Sequence, residues 1–470
     1  MSTARPVSGR TARRWLVAFV TMAATVVMLA AMLAAIAWHA LSARGDGWSH
    51  TVRLQLAGRA IEREVDMAVL LRALSHPLAA PLIDGRHLDT AQGRWQFSAG
   101  PGSNVRARCA PCRLALRPLG QAPLVVDQLE LTWQADGADA YRGTLMLGAD
   151  TRRVTLEGRA HIDRQGVLTI DARLPATPLA DVVHVLGRDL PERDVVRVRG
   201  TLALALRTQW PSGNWHVEPE LDGFEVDGLG TERFVDLQRP AACRSDAQSG
   251  VPTIAGWLPR AVIAAEDARF FEHPGYDLRA MTDALQHNQR PGAAIAGGST
   301  LTQQLAKLLV AGDERSASRK LRELLYAVEM ERTMGKARIL QTYLAVVPWG
   351  DGVCGAERAA RVHLGQREPS TLGPVASAWL ASLLTSPDAH LAAELRAGEV
   401  DHARVGHVLE AMHPMRAQQR EKAQLQLLFW SPPVLAHLRQ GTAAAFEPVA
   451  DVTAVITAPA PASPPVAPAP

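Results

Sequence analysis

A chain of 470 residues that is 47% hydrophobic and 21% charged is long enough for two or three domains and too apolar for a disordered polymer. Its net charge of +3 is too small to argue for nucleic acid, and no nucleic-acid partner is expected.

Residues 1–14 read as a cytoplasmic tail, with Arg5, Arg10, Arg13 and Arg14 in it. The run from Trp15 to Trp38 carries no charge and is rich in Ala, Val, Leu and Met. At about 1.5 Å per residue it spans roughly 36 Å, enough for a bilayer core, so 15–38 is expected to be a transmembrane helix. The arginines before it place that end in the cytoplasm and the bulk of the chain on the other side. A cleaved signal peptide is the rival reading. The apolar run is long for one, and no clean small-x-small cleavage site follows before His39.

Residues 49–240 read as a β-rich domain of unassigned role. Apolar and polar residues alternate over Val154–Ala160, Val167–Leu174 and Val196–Leu204, the period of strands with one buried face. Asp136-Gly137 and Gln165-Gly166 supply turns between such runs. Within this region Cys109 and Cys112 flank Ala-Pro. A local disulfide and free thiols both remain open, whereas zinc lacks a second ligand pair.

From 250 to 392 the period becomes helical. Leu301, Leu305, Leu308 and Leu309 share one face, as do Leu321, Leu324, Leu325 and Val328. Helical patterning continues through an extension at 393–445, and the Pro/Ala-rich tail at 446–470 is expected to be disordered. The fold class is therefore multidomain: an N-terminal transmembrane helix, a β-rich middle domain and a mainly α domain.

Chemistry concentrates in the helical part. Glu266 and Asp267 end an apolar helix that starts before Ala261, and Phe270 and His273 follow closely. Carboxylates in an apolar setting are costly unless they have a task, and a general base is one such task. A surface pair followed by a satisfied histidine is the plain alternative. Gly297-Gly298-Ser299-Thr300 then leads into Gln303, Gln304 and Lys307. The hydroxyls can cap a helix whose N-terminus favours an anion. Gln303 and Lys307 lie four apart, and Gln304 and Lys307 three apart, so they share a face. Arg319 and Glu323 are also four apart, beside Lys320. Lys336 to Leu344, Pro348 to Gly352 and Gly355 to Gly365 complete the series.

In this order and spacing the residues resemble the glycosyltransferase family 51 domain, most closely the monofunctional biosynthetic peptidoglycan transglycosylases. The resemblance runs from Leu258 to about His390. It implies a lysozyme-like, mainly α fold with a small jaw resting in the membrane surface, near which the apolar Leu308–Ala311 run would lie. It implies an inverting hexosyltransferase of cell wall biogenesis and cell shape, which polymerises lipid II onto an undecaprenyl-linked glycan and releases undecaprenyl pyrophosphate. By the same resemblance Glu266 is the base on the acceptor 4-hydroxyl and Glu323 the second glutamate near the donor diphosphate. Lys307, Arg319 and Lys320 bind that diphosphate. Ser299, Thr300, Gln303 and Gln304 contact substrate, with Asp267, Phe270, His273 and Gly298 around them. No cofactor is required and no metal ligand set is expected, although a magnesium or manganese ion could ride on the diphosphate. The implied place is the bacterial inner membrane, single-pass, with the bulk of the chain periplasmic and other cell wall synthesis proteins as candidate partners.

Several positions depart from the family pattern. Leu308 and Ala345 stand where asparagine is usual, and Gln341 and Ala376 where glutamate is common. No SxxK, SxN and KTG series follows, which excludes a transpeptidase. Two other readings stay open. One is a catalytically impaired scaffold that binds lipid II or glycan. The other is a hydrolase using the two carboxylates on finished glycan.

Overall fold

The computed structural model describes residues 49–56, 59–66, 71–72, 75, 83–100, 104–114, 122–137, 139–149, 151–210, 212–235, 254–290, 292, 296–312 and 316–435. The expected membrane helix at 15–38 and the tail at 446–470 lie outside the described residues. Among the described residues no helix is long and apolar enough to cross a membrane.

The strands are β1 Ser49–Leu56, β2 Arg59–Asp66, β3 His87–Thr90, β4 Gly93–Ala99, β5 Val105–Cys109, β6 Cys112–Leu114, β7 Leu124–Val126, β8 Leu129–Ala135, β9 Ala140–Leu147, β10 Val154–Ile162, β11 Leu168–Pro178, β12 Arg197–Trp210 and β13 Asn214–Asp227. The helices are α1 Leu179–Leu186, α2 Leu258–Glu266, α3 Leu278–His287, α4 Leu301–Ala306, α5 Ala317–Thr333, α6 Gly335–Val346, α7 Ala356–Leu364, α8 Pro374–Leu383, α9 Pro387–Ala397, α10 His402–Ala411 and α11 Ala417–Leu427. A π-turn, Lys307–Ala311, continues α4. They form two units. One holds the β-rich region together with Arg269–Tyr343. The other holds the described parts of Ala242–Ala268 and Leu344–Pro470.

The first unit is built on a nine-stranded antiparallel sheet in the order β13-β12-β11-β10-β9-β8-β5-β4-β3. Strand alternation sorts its two faces. In β5, Val105, Ala107 and Cys109 are buried while Arg106 and Arg108 are exposed. The three alternating runs read from the sequence fall in β10, β11 and β12. Gly137 and Gly166 stand at positive φ in the turns before β9 and β11. Helix α1 leaves β11 directly and buries Leu179, Val182, Val183 and Val185. It packs with Leu124, Val126, Leu129, Val154 and Leu174 over Cys109 and Cys112, which are disulfide-bonded to each other. Each fully buried Val or Leu there contributes about 1.5–3 kcal/mol.

The last strand, β13, forms one edge of this sheet, and α3 and α5 pack against it. The Gln289 side chain acts there as a substitute strand. It accepts from the Trp215 backbone N–H, and its Nε2 donates to the Trp215 carbonyl at 2.8 Å.

The second unit is all helical and centred on α8, which buries Val375, Trp379, Leu380 and Leu383 among others. A helix apolar on every side belongs in a core. Leu258 and Val262 of α2 and Val405 and Leu409 of α10 are buried as well, and both helices pack on α8. Trp379 donates its indole N–H to Glu394 at 2.7 Å, and Arg404 pairs with the same carboxylate. His363 of α7 is buried edge-on to Trp379, with ring centroids 6.2 Å apart.

Burial holds the His363 imidazole below its ordinary pKa. The unfolded chain therefore takes up that proton more readily than the folded one. The stability His363 contributes is present above about pH 6.5, declines once the pH drops below that value and continues to fall through the folded-state pKa. His363→Gln is expected to flatten that part of the profile when denaturant unfolding is measured from about pH 8 down to 5. A wild-type slope in the variant would show that other groups set the decline.

Candidate functional site

Glu266 and Asp267 belong to the second unit. Pro259 in the first turn suits the start of α2, and Glu266 is its final residue. Glu266 is half-buried, and Thr385 donates its hydroxyl to Glu266 Oε1 at 3.4 Å. Asp267 is buried. The sequence reading did not single out Thr385. It lies far along the chain from Glu266, and a lone threonine carries no spacing signal.

The other expected site residues belong to the first unit. Gly297-Gly298 leads into α4, and the chain passes close to α3 at this point. An added Cβ on Gly298 would lie 3.0 Å from the Ala280 carbonyl oxygen. Gly275 is more constrained, with φ +91 and a prospective Cβ 2.8 Å from the Ala327 carbonyl oxygen. These approaches lay the two loops against α3 and α5.

Thr300 caps α4. Its Oγ1 accepts from the Gln303 backbone N–H at 3.2 Å, and Gln303 Oε1 accepts from the Thr300 N–H at 3.0 Å. This reciprocal pair is a capping box. Thr300 Oγ1 also donates to the Gly275 carbonyl at 2.7 Å. Thr300 and Gln303 are both buried, so their side chains shape the turn. Gln304, the next residue, accepts from the Tyr343 hydroxyl at 2.8 Å.

The structure draws four of the expected residues into one cluster. Ser316 caps α5, its Oγ accepting from Arg319 N at 3.1 Å, and the first turn then carries Arg319 and Lys320. Arg319 pairs with Glu323 Oε1, and Lys320 Nζ lies 2.7 Å from Glu323 Oε2. Lys320 Nζ also donates to Ser299 Oγ at 2.7 Å. Glu323 is only 1% exposed. Two cations on one buried carboxylate leave a surplus positive charge, and the Arg319 Nε is buried without a partner among the described residues. A donor and a spare charge in a poorly hydrated place suit an anionic oxygen. Lys307 opens the π-turn after α4, and Leu308 to Ala311 are half-buried in it.

A second polar chain lies beneath α4. Thr302 donates to Glu331 Oε1 at 2.5 Å, Lys336 donates to the same oxygen at 2.8 Å, and the Lys336 ammonium stands 4.4 Å over the Phe270 ring. Phe270 is fully buried, and its ring lies 6.4 Å from that of His273. His273 Nδ1 accepts from the Gly275 N–H at 3.2 Å. These contacts anchor the loop after residue 268, and Asp277 extends the anchor by pairing with Arg269 at 2.6 Å and capping α3.

Comparison with known proteins follows the same residues. The transglycosylase family model matches 242–413. The biosynthetic peptidoglycan transglycosylase of Nitrosomonas eutropha is 43% identical over 169 residues, 36% of this chain and 68% of the relative. That of Dechloromonas aromatica is 44% identical over 157 residues, 33% of this chain and 68% of the relative. That of Aromatoleum aromaticum is 48% identical over 130 residues, 28% of this chain and 56% of the relative.

The cap predicts a stability effect that substrate contact does not. Thr300→Val removes the acceptor for Gln303 N–H and the donor to Gly275, and is expected to cost about 1–2 kcal/mol in urea unfolding. Ser299→Ala leaves the capping box intact and should stay within about 0.5 kcal/mol of wild type. Equal effects of the two substitutions would contradict the assignment of Thr300, and not Ser299, to the cap.

Proposed function

The chain belongs to the transglycosylase family, the peptidoglycan glycosyltransferases, and we propose that it polymerises lipid II into glycan strands with release of undecaprenyl pyrophosphate. The observation that carries this reading is the Ser299, Arg319, Lys320 and Glu323 cluster, whose surplus positive charge suits a diphosphate leaving group.

In the proposed step the acceptor 4-hydroxyl attacks the anomeric carbon of the donor sugar. The bond from that carbon to the diphosphate oxygen breaks, the hydroxyl proton passes to Glu266, and the diphosphate leaves as an anion. Arg319, Lys320 and Lys307 are the groups proposed to neutralise it, so the leaving group needs no proton. Glu323 holds the two α5 cations in place between turnovers. Ser299 and Gln304 offer hydrogen bonds to the substrate, and Thr300 and Gln303 keep the turn that presents them.

The proposed setting is the periplasmic face of a bacterial inner membrane. It is supported by the uncharged run from Trp15 to Trp38 and the arginines before it. A lipid-linked substrate also favours an enzyme held at the membrane.

Labelled lipid II and the purified full-length chain test the reading. Wild type should yield polymer. Glu266→Gln should lower turnover by roughly 10²- to 10⁴-fold while its unfolding profile stays unchanged. An undiminished polymer yield from Glu266→Gln would remove Glu266 from the role of base.

A further inference from the structure

The cations of the cluster ride on α5, and the β-rich region grips that helix over most of its length. At its start, Ala122 bridges to the capping residue Ser316, and Ala317 packs on the core under α1. Toward its end, Glu329 accepts from the Leu229 N–H at 3.0 Å. Arg332 pairs with Asp227 at 2.5 Å, and Thr333 shares a 2.7 Å hydrogen bond with Thr231. The middle contact is made to the residue next to Glu323 in the chain. Glu192, buried in the turn between α1 and β12, accepts from Arg322 Nε at 2.8 Å and from the Tyr326 hydroxyl at 3.0 Å, and also takes the Arg322 Nη2. Arg322 uses its remaining arm on the π-turn, donating Nη1 to the Val310 carbonyl at 2.7 Å.

Arg322 and Glu323 are neighbours on a helix, so their side chains diverge by about 100° around its axis. A clamp on Arg322 therefore sets the rotation of α5, and that rotation sets the aim of Arg319, Lys320 and Glu323. The same clamp ties down the turn that Lys307 opens. Buried charge makes it firm, because withdrawing Glu192 would leave the Arg322 guanidinium partly buried without its counter-ion.

We infer that Glu192 is a positioning residue for glycosyl transfer, through which the β-rich region orients the diphosphate-binding face of α5 and the adjoining π-turn. This rests on the reading of that face as the donor diphosphate site. The sheet region is then part of the catalytic apparatus although none of its residues need touch substrate.

The test compares wild type, Glu192→Ala, Glu192→Gln and Tyr326→Phe combined with Arg322→Lys as full-length chains, by lipid II turnover and by amide hydrogen exchange. Glu192→Ala should lower kcat by roughly 10- to 100-fold with KM within about threefold of wild type. It should speed exchange over 307–312 and 316–323 and leave β10 to β13 unchanged. Glu192→Gln keeps an acceptor oxygen and should regain most of the lost kcat. Wild-type kcat and wild-type exchange in Glu192→Ala would overturn the inference. So would a fall in kcat that merely tracks a loss of protection across the whole sheet. Should Glu192→Ala not fold, Tyr326→Phe combined with Arg322→Lys decides, since it removes the hydroxyl and the guanidinium fork from Glu192: a kcat lowered by roughly 3- to 10-fold with faster exchange over 307–312 and 316–323 supports the clamp, and unchanged kcat and exchange sink it. Wild type that makes no polymer would refute the proposed function. In that case the exchange pattern alone still decides whether Glu192 holds α5.

Discussion

Glu323 carries a carboxylate into a place with almost no water, and much of the first unit serves to keep it compensated. Its two oxygens are taken by Arg319 and Lys320 from the same helix, and Lys320 reaches on to Ser299 at the mouth of α4. An unpaired buried carboxylate would cost several kcal/mol, so Glu323 depends on keeping its two cations, with Ser299 an added acceptor for Lys320. Its geometry depends on the Ser316 cap, which starts α5 about two turns before Glu323, and on the Thr300 capping box, which fixes where Ser299 stands. Local backbone chemistry thus determines where the charges lie.

Parts of this arrangement were legible in the amino-acid sequence because they are local. Alternation in Val154–Ala160 announced β10, and the spacing of Arg319 and Glu323 announced a shared helical face. The Thr300 and Gln303 spacing is also that of a capping box. The residues allowed a hydroxyl cap there and the resemblance assigned Thr300 and Gln303 to substrate; in the fold both side chains serve the cap. A polar residue at a helix start has two competing employers, backbone and ligand, and the linear pattern does not rank them.

What the sequence did not disclose is long-range. Glu192 sits in a Pro-Glu-Arg-Asp turn with no motif around it, and its partners Arg322 and Tyr326 lie 130 and 134 residues further on. Likewise, nothing in the helical pattern of 269–343 foretold that this stretch would pack in one unit with the sheet. Residue spacing reports neighbours within an element. It is silent on which distant turn will supply the counter-ion for an arginine.

The Gln289 amide on the backbone of Trp215 has a consequence for how the molecule behaves at high concentration. An outer strand with idle N–H and C=O groups invites another chain to align beside it, the first step toward fibrils or swapped assemblies. Here a glutamine occupies one such pair on β13, and α3 and α5 screen the strand around it. Self-association by strand addition is thereby discouraged at this margin of the sheet, a safeguard that the proposed membrane setting, with many copies crowded into one plane, would call on.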